Sequence, residues 1–236
     1  MIRVLTTALA VSLLAGPAIA DDPLTPAPVE QALARSVVDG VRDDWRFTIT
    51  ISSADGDVVG RFDGDAAPAE QWRLVSPTDV ELSDGQSELW ADIIDPSEDD
   101  DEGDGLFFSV EDIEMQPGSF DLLSEQTGEA IYGFTPELTG DTDEDAAFAE
   151  NLQGELSIAV DTPHVRQVRI FAPRSFKPHM AVRINAFEIV QEYEIMDGLP
   201  APVLRRFAQT IEGSAAFQQF QENVEFRFSE IEYLGR

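Results

Sequence analysis

The chain contains no cysteine, only two histidines, His164 and His179, and a single lysine, Lys177. Without cysteine there are no disulfides and no lipid anchor on an N-terminal thiol. There is no Gly-x-Ser-x-Gly elbow, no His-Glu-x-x-His and no phosphate loop, so the strong sequence signals of catalysis are missing and no enzyme, cofactor or metal is expected. Positive charge is scarce as well, with 15 Lys and Arg against 46 Asp and Glu, a formal charge of −31. A surface of that sign cannot neutralise phosphates, which excludes nucleic acid as a partner and disfavours adsorption to anionic headgroups. It also favours a soluble monomer through self-repulsion. No solenoid or propeller period is visible. What is present is apolar: 43% hydrophobic residues, among them 15 Phe, which excludes wholesale disorder. A chain of this length buries about 70% of its unfolded surface, enough for one large core.

The first residues carry an address. Met1-Ile2-Arg3 is a short basic start, Val4 to Ala15 an apolar run too short for a resident membrane helix, and Ala18-Ile19-Ala20 a small-x-small cleavage site. This reads as a signal peptide over 1–20, leaving a periplasmic domain over 21–236 with 14 basic against 46 acidic residues, a charge of −32.

After a Pro-rich leader, Val29, Leu33, Val37 and Val41 recur every four residues, with Val38 beside them. The spacing predicts an amphipathic helix with Thr25 as cap and Pro26 in its first turn. From Trp45 the period falls to two: Trp45, Phe47, Ile49 and Ile51 alternate with Arg46, Thr48, Thr50 and Ser52, a half-buried strand. Ala54-Asp55-Gly56-Asp57 predicts a hairpin, Val58 to Phe62 the returning strand and Gln71 to Val75 a third. Val80 to Leu82 and Glu88 to Ile94 read as short strands around the turn Ser83-Asp84-Gly85. Pro117 to Glu125 reads as a short helix with Phe120, Leu122 and Leu123, Ala130 to Phe134 as a strand, and Asp143 to Gln153 as a second short helix with Phe148 and Leu152.

Five strand-like segments follow, 155–160, 165–172, 180–195, 203–212 and 223–234, separated by turn residues as in an antiparallel meander. Two of them change phase. Val182 and Ile184 share one parity and Phe187, Ile189, Tyr193 and Ile195 the other; Val224, Phe226 and Phe228 give way to Ile231 and Tyr233. A strand that swaps faces needs a bulge, and long bulged strands curve a sheet. The fold class expected is mainly β (α+β), a strongly curved antiparallel sheet forming an open half-barrel, covered by a few helices.

A helix and hairpin strands followed by Gln71-Trp72-Arg73-Leu74-Val75-Ser76-Pro77, Val80-Glu81-Leu82-Ser83-Asp84-Gly85 and Leu89-Trp90 resemble the amino-terminal half of LolA-type periplasmic lipoprotein carriers, over roughly residues 29 to 125. Phe120, Leu122 and Leu123 fall about where that family has a lid helix with paired aliphatics. The resemblance implies an unclosed β-barrel around an apolar cavity, capped by helices, that holds lipid or an acylated protein. The chain departs from the family in charge, since those carriers hand cargo on through complementary charged surfaces.

Candidate residues carry alternative readings. His164 and His179 form a metal or acid/base pair if the strands bring them together, and are solvated turn residues otherwise. Asp100-Asp101-Glu102-Gly103-Asp104-Gly105 with Phe107 and Glu111 has calcium-loop spacing. The long Glu102, the upstream Pro96 and the strand-like Leu106 to Val110 instead favour a solvated acidic loop. Arg166, Arg169, Arg174, Lys177 and Arg183 concentrate five positive charges without an acidic residue between 162 and 187. They are either a headgroup-binding rim, with Arg166, Arg169 and Arg183 at its centre, or compensation for the chain's own acids. Phe47, Trp72, Trp90, Phe120, Leu122 and Leu123 line a cavity if the apolar face is hollow, and are plain core if it is filled. The first alternative makes the chain a non-catalytic binder of acyl cargo, the second an exported structural or interaction module. An exported hydrolase is the remote third, because carboxylate pairs cannot be singled out among so many acids. Expressed with its leader in a Gram-negative host, the exported chain should begin at Asp21, as intact mass will show; full-length chain retained in the cytoplasm would refute the assignment.

Overall fold

The computed structural model describes residues 25–37, 42–77, 82–94, 106–108, 119–136, 148–216 and 218–235. The leader, the acidic loop apart from 106–108, residues 80 and 81 of the strand expected over 80–82, and residues 143–147 of the helix expected over 143–153 lie outside the described residues; of that helix only Phe148 and Ala149 are helical among the described residues, and Gln153 already belongs to a strand.

Helix α1, Ala27–Ser36, starts at Pro26 with no side-chain cap, so Thr25 does not cap it. It ends at Ser36 rather than continuing through Val37, which is extended and bridges Phe108. Its buried stripe is Val29, Ala32 and Ser36. Ser36 Oγ donates to Ala32 O at 2.7 Å and accepts from Val165 N at 2.9 Å, tying the helix to the strand beneath it.

The strands are β1 (Trp45–Ser53), β2 (Gly56–Asp63), β3 (Trp72–Ser76), β4 (Asp121–Gln126), β5 (Glu129–Phe134), β6 (Gln153–Ala159), β7 (His164–Phe171), β8 (Phe176–His179), β9 (Val182–Glu194), β10 (Val203–Ala215) and β11 (Gln218–Tyr233). They form one eleven-stranded antiparallel sheet in the order β3-β2-β1-β11-β10-β9-β7-β6-β5-β4, with β8 on the side of β9. Among the described residues the sheet is mainly a meander, is not closed, and is accompanied by two complete α-helices. Its chain-crossing step is β1 against β11, from Trp45 opposite Tyr233 to Ser52 opposite Glu225.

The alternation that predicts β1 is seen in its burial: Trp45, Phe47, Ile49 and Ile51 are buried and the residues between them are not. Gly56, at φ 104°, supplies the left-handed residue of the β1–β2 hairpin. Both phase changes are bulges. In β9 the register against β10 slips between Ala186 and Ile184, leaving Asn185 unpaired. In β11 Glu230 and Ile231 together oppose the single residue Phe47, with Glu230 at φ 50°.

Four local expectations are corrected. Glu88 to Ile94 is no strand: Asp84–Ile94 is helix α2. Ser83-Asp84-Gly85-Gln86 is its capping box, with Gln86 N donating to Ser83 Oγ at 3.2 Å and Ser83 N donating to Gln86 Oε1 at 3.0 Å. The expected helix with Leu122 and Leu123 is strand β4, turned back to β5 by Thr127-Gly128, and a bulge at Leu123 explains two adjacent leucines on a strand. The connection between the expected strands 165–172 and 180–195 is not turn alone but contains the short strand β8. Finally, β10 and β11 both extend further toward their shared turn than the apolar pattern suggested.

The buried residues form two clusters on one side of the sheet. One joins α1 to β5, β6, β7, β8 and β9 through Val29, Phe134, Leu156, Ile158, Val165, Val168 and Phe187. The other joins α2 to β1, β2, β3 and β11 around Trp45, Phe47, Ile51, Val58 and Phe62. Phe107 packs in the second cluster and Phe108 in the first, so Leu106 to Phe108 staples them at one end, with Leu204 N donating to Leu106 O at 2.8 Å. α2 docks through Trp90, whose ring lies so close over Gly60 that a Cβ there would collide with it. Gly60→Val should therefore dislodge α2, destabilising the protein by about 1–3 kcal/mol in denaturant titration and shifting its tryptophan fluorescence.

Candidate ligand-binding face

Strand alternation gives the sheet two faces of opposite chemistry. On the polar face arginines bridge acids from neighbouring strands. Arg169 pairs with Glu155 at 3.0 Å and Glu188 at 2.7 Å. Arg206 pairs with Glu192 at 2.8 Å and Glu225 at 2.9 Å. Arg46 reaches Asp63, Asp65 and Glu232. The hydrogen bond from Arg46 holds the Asp63 carboxyl below its usual pKa.

These pairings decide the fate of the expected cationic rim. Arg169 is spent on its neighbours' carboxylates and stacks over Phe171 at 4.0 Å. Arg183 is exposed opposite Ser214, and Arg166 is exposed at a bulge between β6 and β7. Compensation of the chain's own acids therefore describes Arg169, while Arg166 and Arg183 stay exposed on separate strands.

The two histidines are also apart. His164 opens β7 opposite Ala159, level with the end of β9, whereas His179 pairs with Val182 at its beginning. The length of β9 separates them, on the order of 40 Å at about 3.3 Å per residue. Among the described residues no group of three His, Asp or Glu is placed to hold a metal ion, and no helix is long and apolar enough to cross a membrane.

The aromatic candidates divide. Phe47, 5% exposed, is enclosed by Phe62 at 5.2 Å, Phe228 at 5.5 Å and Trp72 at 5.8 Å, and Trp72 meets Trp90 at 5.9 Å. These rings fill one another's space. The indole N–H of Trp72 is buried without an acceptor. Phe120 packs on Phe134 at 6.0 Å, while Leu122 and Leu123 are 53% and 57% exposed on the edge strand β4. The paired leucines thus form no helical lid.

What the sequence reading passed over is the middle of the apolar face. α1 packs on β6 and β7 and α2 on β2. Between them, Ile189 of β9, Phe207 and Ile211 of β10, and Val224, Phe226 and Phe228 of β11 are only half-buried among the described residues. Register places them together: Ile211 opposite Phe187, and Phe207 opposite Phe226, with their rings 5.7 Å apart. The signal was available in the shared parity of Phe207 and Ile211, but nothing in a sequence says which apolar positions a helix leaves uncovered. Two open clefts of mixed polarity are also present. One, of about 490 Å³, lies between Ser52, Arg206, Thr210 and Arg227. The other, of about 410 Å³, lies beside Glu129, His164, Arg166, Glu192 and Glu194.

His164 Nδ1 lies 2.6 Å from Thr162 O, a carbonyl that only accepts, so Nδ1 carries the proton. Burial pushes the imidazole pKa down, and the charges of Arg166 and Arg35 push the same way against the hydrogen bond to Thr162. The unfolded chain therefore takes up a proton as pH falls through about 6.5 and the folded chain only at lower pH, so this group's contribution is present above about 6.5 and is lost as pH falls from there through the lower folded pKa. His164→Gln should flatten the fall in melting temperature between neutral pH and about pH 5 relative to the native chain. No protein-family model matches the chain, and no curated protein or solved structure matches it.

Proposed function

We propose that the protein is a non-catalytic periplasmic carrier that holds lipid or another acyl-bearing cargo against the apolar face of an open, half-barrel sheet. The observation that carries this reading is the half-covered strip over β9, β10 and β11, where large apolar side chains at the margins of the two clusters remain half-exposed among the described residues. Such faces are the chemistry of ligand grooves, mostly apolar with few polar groups. The half-barrel shape is supported by the stagger and the bulges. β11 pairs with β10 over Gln218 to Arg227 and with β1 over Glu225 to Tyr233, so successive partners are displaced along it as in a coiled, barrel-like sheet. Bulges in β9, β10 and β11 add local bend. The resemblance to LolA-type carriers agrees with the open sheet, although α2 and β4 differ from the elements it implied.

A second reading is favoured by one specific observation, the aromatic cluster of Phe47, Phe62, Trp72 and Trp90, whose rings pack on one another. It makes the chain a structural or interaction module with a filled core. Lipid analysis of the purified exported protein, with titration of a fluorescent fatty-acyl probe, separates the two. On the carrier reading Phe207→Glu weakens probe uptake by about tenfold or more without changing the melting temperature by more than a few degrees, because the position is half-exposed, while Leu122→Glu on the edge strand changes neither. A protein that carries no lipid and takes up no probe is the filled module.

A further inference from the structure

The apolar strip contains one carboxylate. Glu222 of β11 stands opposite Ile211 of β10, which in turn stands opposite Phe187 of β9, so the three lie in one row across the sheet. Phe220 and Val224, two residues away on either side of Glu222, share its face, and the Phe220 ring lies over Gly213 of β10. Glu222 is half-buried and has neither an ion pair nor a hydrogen bond among the described residues. The contrast with the polar face is sharp: there Glu155, Glu188, Glu192 and Glu225 each hold an arginine. Around Glu222 on the apolar side of these three strands the paired positions are Phe187, Gln209, Ile211, Gly213, Phe220 and Val224, none of them basic.

We propose that the cargo bound on this strip is a cationic amphiphile, an apolar chain bearing an ammonium group that pairs with Glu222. This deepens the carrier reading and rests on it. While the strip is open, water solvates the Glu222 carboxylate. An apolar chain laid over Phe207, Ile211 and Val224 excludes that water, and a carboxylate desolvated without a partner opposes binding. An ammonium group on the chain removes the penalty, and a neighbouring aromatic ring such as Phe220 adds attraction for it. An anionic headgroup meets the opposite: among the described residues the register places no arginine beside Glu222, Ile211 or Phe187 on this side of the sheet, and the chain's formal charge is −31.

The test uses three dodecyl probes below their micellar concentrations, dodecyltrimethylammonium, the uncharged dodecyl maltoside and dodecyl sulfate, titrated calorimetrically into the full exported chain. The expected order is ammonium tighter than maltoside by about tenfold, with sulfate weakest. Glu222→Gln should reduce ammonium affinity to that of the uncharged probe and leave maltoside binding unchanged. Glu70→Gln, which removes the same charge from an exposed position away from the strip, should change neither. If Glu222→Gln leaves ammonium binding intact, or Glu70→Gln lowers it equally, the preference belongs to the overall field and the proposal fails, while maltoside binding shows the carrier reading still standing. If no probe binds, both fail.

Discussion

Pairing of β1 with β11 is the contact on which the architecture rests. Without it, β1 to β3 and β4 to β11 are separate ribbons, each with an apolar side larger than one helix can cover. With it, the aromatic side of β1 continues into that of β11, through Ile49 opposite Phe228 and Ile51 opposite Phe226. The join is also the most distant in sequence: Thr48 Oγ1 donates to Glu230 Oε2 across 182 residues. Contacts of such separation form late, because loop closure must precede any gain from pairing. The bulge at Glu230 sits within this join, where a left-handed non-glycine residue is held by its hydrogen bond to Thr48.

Where the sequence was legible, periodicity carried the information. β1, its hairpin with β2, β5 and the five-strand meander follow from alternation and turn residues, and the parity changes near Asn185 and Glu230 located two bulges before any register was known. Where it was not, two competing signals had the same letters. Ser83-Asp84-Gly85 reads as a turn by composition, but Gln86 makes it a capping box and so begins α2. Leu122-Leu123 reads as a helical face, but a bulge on an edge strand accommodates adjacent leucines equally well.

The candidate site was less legible than the fold for a physical reason. Parity assigns a residue to a face, yet says nothing of what lies on top of it. Phe47 and Phe226 share that face; one is sealed by three aromatic rings and the other is half-open. Arg169 shows the same limit for charge. A run of basic residues without an acid between them is isolated only along the chain, and Glu155 and Glu188 arrive from the strands on either side.

The arginine bridges on the polar face respond to ionic strength in two directions. Within each bridge the opposite charges touch, closer than any practical screening length. Between bridges the spacing is wider: Glu188 and Glu192 belong to different bridges and stand four residues apart on β9, about 13 Å at roughly 3.3 Å per residue. That exceeds the Debye length of about 10 Å at 0.1 M salt. Added electrolyte therefore damps the long-range repulsion among the acids of a chain of formal charge −31 before it weakens the attractions inside the bridges. A sheet built this way gains cohesion as its surroundings become saltier, the reverse of what isolated surface ion pairs would give it.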